Sequence, residues 1–145
     1  MKKNLLCFLA LAIVTISYAQ TKVAIYSVGK FGTDKYEEFS FWIKDGKKTK
    51  IFYAYGKNEK EIKLSYFGKT FLKEDFCFEV KFPNNYILYI IPNGVKLKVI
   101  DSTGKYLQNF SWRYEGPING IGTYCDVCAS DPAEAMEIIN TYYMK

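Results

Sequence analysis

The segment Phe76–Phe82, with the sequence FCFEVKF, has the clearest pattern in the chain. Its apolar positions are Phe76, Phe78, Val80 and Phe82, and they alternate with Cys77, Glu79 and Lys81. Alternation with a period of two residues is typical of a β-strand with one buried face. We therefore predict a strand whose aromatic face points into a core and whose opposite face is polar.

Similar segments lie on both sides of this strand. The eight predicted strands cover residues 22–28, 37–44, 49–55, 61–67, 76–82, 86–91, 95–99 and 106–115. Short turns separate them, such as Asp45-Gly46, which suits a two-residue hairpin, and Pro83-Asn84-Asn85, which ends a strand because proline cannot donate to a ladder.

Short connections favour pairing between strands that follow one another in the chain. The sequence therefore predicts a mainly β protein, built as a single antiparallel up-and-down meander of about eight strands. Such a meander forms either a small barrel, which leaves no exposed strand edge, or a two-layer sheet.

One amphipathic α-helix is predicted at the C-terminal end, over residues 132–144. Asp131 suits the N-cap, Pro132 the first helical position, and Glu134 the third position of a capping box. The apolar residues on one face are Ala135, Met136, Ile138, Ile139, Tyr142 and Tyr143. We expect this face to pack on the sheet or across one end of a barrel.

Eight meandering strands followed by one C-terminal helix resemble the plan of lipocalin-like proteins. The resemblance concerns the layout only, since no Gly-x-Trp signature stands near the first strand. It implies a barrel with the helix packed against it.

The first nineteen residues have the layout of a cleaved secretory signal peptide. Lys2 and Lys3 precede an apolar run from Leu5 to Ile16, and small residues at Ser17 and Ala19 suit a cleavage site. This run is shorter than the roughly 20 residues that a membrane-spanning helix needs. We therefore expect a single mature domain over residues 20–145, exported to the periplasm or secreted, without a membrane span after cleavage.

Charge and composition argue against several classes of function. The net charge of +5 includes Lys2 and Lys3, the lysines are scattered along the strands, and Arg113 is the one arginine, so we expect no nucleic-acid binding. Histidine is absent, which excludes every mechanism that depends on a histidine base or ligand. The sequence therefore favours a protein that is not an enzyme, without metal or other cofactor.

Two cysteines, Cys125 and Cys128, are spaced as Cys-x-x-Cys. Such a pair can exchange disulfides, but in thioredoxin-like sites the first cysteine stands at a helix start, whereas Cys128 precedes the Asp131 cap by three residues. In an exported protein a structural disulfide between Cys125 and Cys128 is favoured, with Cys77 as the alternative partner of either. Cys7 would leave with the signal peptide.

Two further groups of residues are interpreted as structural. Adjacent or near carboxylates, such as Glu37-Glu38, stand among lysines and are expected to be solvated surface charge. The glycine-rich segment from Gly116 to Gly122 is expected to be a crossover loop, because no phosphate-binding motif follows it.

The many aromatic residues predict a function only if the strands close into a barrel. Some aromatic side chains would then line a cavity, and the candidates are Tyr53, Tyr55, Tyr66, Phe78, Trp112 and Tyr114. Our leading hypothesis is an exported, non-enzymatic domain of a bacterial-type cell envelope that binds a small apolar ligand or an envelope protein. The alternatives are a thiol-disulfide oxidoreductase using Cys125 and Cys128, and a structural or inhibitor-type partner protein.

Overall fold

The computed structural model describes residues 21–44, 46–114 and 127–145, and its main feature is a closed antiparallel barrel. The eight barrel strands are β1 (Lys22–Val28), β2 (Glu37–Lys44), β3 (Lys47–Tyr55), β4 (Lys60–Leu72), β5 (Asp75–Lys81), β6 (Ile87–Asn93), β7 (Lys96–Asp101) and β8 (Leu107–Trp112). Each pairs with the next, and β1 pairs with both β2 and β8. The predicted meander is confirmed in its barrel form.

The seam of the barrel lies along β1. One edge of this strand pairs with β2 along its whole length. Its other edge is divided, because Tyr26 and Ser27 pair with β8, whereas Lys22 and Val23 pair in parallel with a short ninth strand, β9 (Val127–Cys128). The sequence did not predict β9, since two residues are too few for a periodic pattern.

The hairpin of β4 and β5 is longer than predicted. The sequence placed the end of the fourth strand at Phe67, but β4 continues to Leu72 through a bulge between Tyr66 and Gly68. Gly68 allows this bulge because its φ is 94°, in the region that favours glycine. The prediction that Phe76 faces the core is wrong, since this residue pairs with Phe71 close to the hairpin tip and is 50% exposed.

Cys77 also departs from the predicted pattern. The sequence placed it on a polar strand face, but its side chain is completely buried and its thiol is free. Its Sγ lies 3.6 Å from the carbonyl oxygen of Thr70, to which it donates. Burial, reinforced by the charge of Asp75, raises the pKa of the Cys77 thiol.

The C-terminal helix α1 (Pro132–Tyr142) begins as the sequence predicted and ends two residues earlier. The Asp131 carboxylate accepts hydrogen bonds from the backbone N–H groups of Ala133 and Glu134, at 2.8 and 2.9 Å. Glu134 reaches back to the N–H and hydroxyl of Ser130 rather than to the cap residue itself. These bonds satisfy backbone donors that the first turn leaves without helical partners.

The helix closes one end of the barrel. Its buried residues are Ala135, Met136, Ile138 and Ile139, and they join the barrel core. Tyr143 follows the helix and is completely buried, with its ring 5.2 Å from Phe41 and its hydroxyl donating to the carbonyl of Lys50 at 3.1 Å. The carbonyl of Tyr143 in turn accepts from the hydroxyl of Tyr66 at 2.6 Å. We call this end the helix end.

Candidate functional site: the aromatic cavity at the open end of the barrel

The opposite end of the barrel holds a cavity of about 240 Å³, which we call the mouth cavity. Its lining residues are Tyr53, Tyr55, Ile62, Phe82, Asn84, Tyr86, Leu88 and Tyr106. The course of β3 places it, because Lys50 near the start of that strand contacts Tyr143, whereas Tyr53 and Tyr55 lie at its other end. Leu88, only 2% exposed, forms the base of the cavity.

Aromatic rings form the walls of the mouth cavity and hold one another in place. Tyr53 stacks on Tyr55 with ring centroids 5.9 Å apart, and meets Phe82 edge-on at 5.1 Å. Phe82 contacts Tyr86 in turn, at 5.8 Å. Such offset and edge-to-face contacts are the favoured geometries for aromatic pairs, so the walls are preorganised.

A carboxylate lies directly behind two of these tyrosines. Oε2 of Glu37 accepts a hydrogen bond from the Tyr53 hydroxyl at 2.7 Å and another from the Tyr106 hydroxyl at 2.5 Å. Burial, followed by the hydrogen bond and charge of Glu37, raises the pKa of both tyrosines. Both hydroxyls therefore stay protonated, and their protons point at Glu37.

The neighbouring residue, Glu38, has a different and structural role. It accepts a hydrogen bond from the Tyr36 hydroxyl and one from Nη1 of Arg113, the latter at 2.8 Å, and its side chain is 13% exposed. The Arg113 guanidinium also lies 4.4 Å from the centre of the Phe31 ring. This cluster fixes the connection between β1 and β2. The prediction that Glu37 and Glu38 are solvated surface charge is wrong.

Asp101, at the end of β7, shapes the same end of the barrel. Its carboxylate accepts hydrogen bonds from the Thr103 hydroxyl at 2.7 Å and from the backbone N–H of Tyr106 at 3.2 Å. These bonds, led by that of Thr103, lower the pKa of Asp101. The turn that carries Tyr106 is thus stabilised by an ionised carboxylate.

We expect the replacement Asp101→Asn to reduce stability at neutral pH and to have little effect in acid. A carboxylate whose pKa is lowered on folding contributes stability above its unfolded pKa of about 4, and this contribution is lost as the pH falls through the folded pKa. Urea unfolding at pH 7 and at pH 3 measures the difference. Thr103→Val, which removes the leading hydrogen bond but keeps the carboxylate, should give a smaller dependence on pH than the wild type. A gap between wild type and Asp101→Asn that is equal at both pH values contradicts this role.

Of the candidate ligand-lining residues, the structure brings together Tyr53 and Tyr55 in the mouth cavity. Tyr66 and Phe78 instead surround Tyr143 at the helix end, at 5.5 and 5.7 Å. Trp112 and Tyr114 lie 6.0 Å from each other outside the mouth lining, and Tyr114 is 54% exposed.

Sequence reasoning missed Glu37, Phe82, Tyr86 and Tyr106 as parts of this site. A signal existed for Glu37, because it stands two positions before Phe39 and so shares its inward face. A signal existed for Tyr106 too, because it begins the predicted strand 106–115 and shares a face with Phe110. Tyr86 had no such signal, because the predicted strand 86–91 is apolar on both faces.

Several sequence-based predictions fall outside the described residues. These are the signal peptide over residues 1–19, the segment from Gly116 to Gly122, and Cys125. Because Cys77 is a free thiol, its proposed pairing with Cys125 or Cys128 is not formed. The bond between Cys125 and Cys128 stays a prediction.

Comparisons of the chain with known protein families, with curated proteins and with solved structures find no match. In the described part of the chain, no helix is long and apolar enough to cross a membrane. Over residues 21–44, 46–114 and 127–145, no three or more carboxylate or cysteine side chains are grouped so as to hold a metal ion. The closed barrel and the mouth cavity are the features of the molecule that bear on its function.

Proposed function

We propose that the protein is an exported, non-enzymatic binding protein that holds a small ligand in the mouth cavity. The observation that carries this proposal is the cavity itself, with its wall of aromatic rings and a few polar groups. Sites for small molecules are typically concave and apolar, with a small number of placed polar atoms that orient the ligand. Export is supported by the N-terminal sequence pattern.

The packing at the helix end and the size of the mouth cavity favour a small ligand that binds at one end of the barrel. At the helix end, Tyr143 and the buried face of α1 belong to the packed core, whereas the mouth cavity lies at the other end. The cavity is somewhat smaller than the roughly 300 Å³ at which sites for drug-sized ligands begin. It therefore suits a ligand with a single ring or a short chain.

We expect the replacement Tyr55→Ala to weaken ligand binding by about fivefold, because loss of one aromatic contact costs on the order of 1 kcal/mol. Tyr55 lines the cavity and is 39% exposed, so its removal should leave the core intact. The measurement is an NMR titration of the ¹⁵N-labelled protein with a library of small fragments, first on the wild type and then on the variant.

The matched control is Tyr114→Ala, which removes another exposed tyrosine that does not line the cavity. Fragments should perturb the amides of β3, β6 and the turns at the mouth, and Tyr114→Ala should leave their affinities unchanged. Equal losses in the two variants, or fragments whose perturbations are scattered over the barrel, would contradict the proposed site.

A further inference from the structure

The hydrogen bonds of Glu37 determine what the mouth cavity can offer to a ligand. A tyrosine hydroxyl has one proton to donate and lone pairs with which to accept. At Tyr53 and Tyr106 the hydroxyl already donates this proton in a hydrogen bond to Glu37. These two hydroxyls can therefore only accept hydrogen bonds from a ligand, which must bring the donors itself.

The charge that lies behind the two tyrosines is the negative charge of the Glu37 carboxylate. Glu37 forms no ion pair within 4.0 Å among the described residues, in contrast to Glu38 with Arg113. None of the lining residues carries a formal charge. After burial, the negative charge of Glu37 raises the pKa of Tyr53 and Tyr106, and the charges of Asp101 and Glu37 raise that of Tyr86. The potential in the cavity therefore favours a positive ligand group.

The aromatic rings, like the hydroxyl acceptors and the charge of Glu37, favour a cation in the mouth cavity. The faces of tyrosine and phenylalanine rings carry negative electrostatic potential, and they attract cations within about 6 Å of the ring centre. In the order Tyr55, Tyr53, Phe82 and Tyr86, each ring contacts the next along the wall, with centroid distances of 5.1 to 5.9 Å. A cationic group in the cavity would thus lie among several rings.

We propose that the mouth cavity binds organic cations, specifically ligands with a protonated amine attached to a small apolar or aromatic body. The ammonium N–H groups donate to the Tyr53 and Tyr106 hydroxyls, Glu37 supplies the opposite charge behind them, and the apolar body packs against Ile62, Leu88 and the rings. This inference rests on the proposed function and names the class of ligand for the same site.

Four probes that share one ring and differ in their head group test the proposal. They are benzylammonium, benzyltrimethylammonium, benzyl alcohol and benzoate, each titrated into the ¹⁵N-labelled protein at pH 7 and low salt. We expect benzylammonium to bind at least about tenfold more tightly than benzyl alcohol, because charge-assisted hydrogen bonds are roughly twice as strong as neutral ones. Benzyltrimethylammonium, which is charged but has no N–H donor, should be intermediate, and benzoate should be weakest.

The variant Glu37→Gln separates charge from shape, because the glutamine carbonyl can still accept from both tyrosine hydroxyls. It should weaken benzylammonium binding by about tenfold, toward that of benzyl alcohol, and leave benzyl alcohol unchanged. Glu61→Gln is the matched control, since it removes one carboxylate from an exposed position of β4. If the amide spectrum shows that Glu37→Gln is misfolded, the comparison of the four probes on the wild type decides alone.

The possible failures have different meanings. Benzyl alcohol or benzoate binding in the mouth as tightly as benzylammonium would overturn selection for cations but leave small-ligand binding in place. Absence of perturbation by all four probes would also overturn it, and the fragment titration then tests the proposed function separately. Equal weakening of benzylammonium by Glu37→Gln and Glu61→Gln would show that overall charge, and not this site, attracts the cation.

Discussion

Replacing Ile139 with aspartate is expected to remove a large part of the stability of the protein. Ile139 is completely buried and belongs to the core that α1 shares with the barrel. An aspartate there loses the apolar contacts and buries a charge without a partner, which costs on the order of 3–5 kcal/mol. The free energy of unfolding of a domain of this size is about 5–15 kcal/mol. Urea denaturation followed by tryptophan fluorescence measures the loss.

The matched control is Asn140→Asp, which places the same charge on the exposed face of the same helix. Exposed substitutions of this kind usually change stability by no more than about 0.5 kcal/mol. A larger loss of stability in Ile139→Asp than in Asn140→Asp supports the packing of α1 against the barrel. If Ile139→Asp costs no more than Asn140→Asp, the helix does not close the barrel as described.

The replacement Gly29→Ala is expected to have the second-largest effect, although it adds only one methyl group. Gly29 has a φ of 82°, and a Cβ at this position would lie 2.3 Å from the carbonyl oxygen of Lys35. The positive φ alone costs about 1–2 kcal/mol for an alanine, and the contact forces the 29–36 connection to move as well. We expect a total loss of about 3 kcal/mol, measured by urea denaturation, since strain of this kind is among the few causes of large effects.

The variant Gly104→Ala separates the cost of the positive φ from the cost of the contact with Lys35. Gly104 has a similar φ of 72°, but no atom lies within 4 Å of the position of its Cβ. It should therefore show the cost of the positive φ alone, about 1 kcal/mol. Because Glu37 directly follows the 29–36 connection, Gly29→Ala should also weaken binding in the mouth cavity. Equal losses of stability in Gly29→Ala and Gly104→Ala would show that the contact with Lys35 is relieved without cost.

The parts of the fold that sequence reasoning predicted are those that obey a local rule. Alternating residues gave the barrel strands, and Asp131, Pro132 and Glu134 gave the start of α1, because a cap needs only neighbours in the chain. Turn residues between the strands gave their antiparallel order. Local patterns do not distinguish a barrel from two layers, since that choice depends on whether β1 and β8 pair, and these strands lie far apart in the chain.

The predictions that were wrong concern residues whose surroundings are set by distant parts of the chain. Phe76 has a core-like pattern but lies near a hairpin tip, because the bulge at Gly68 lengthens β4. Glu37 has the sequence pattern of a surface charge beside Glu38. Its carboxylate instead accepts a hydrogen bond from Tyr106, a cavity-lining residue that lies far along the chain. Neither the length of a hairpin nor a contact over such a separation can be deduced from alternation.

The divided edge of β1 also affects the order in which the chain can fold. Val23 and Tyr26 need partners from β9 and β8, which lie at the far end of the described sequence. Closing such long loops is entropically costly, and proteins dominated by contacts of this range fold slowly. A stretch of the chain that stops before β8 lacks the strand that closes the barrel against β1. Barrel closure is therefore a late event in synthesis, because a nascent chain stays open until β8 has emerged, and the pairing with β9 follows later still.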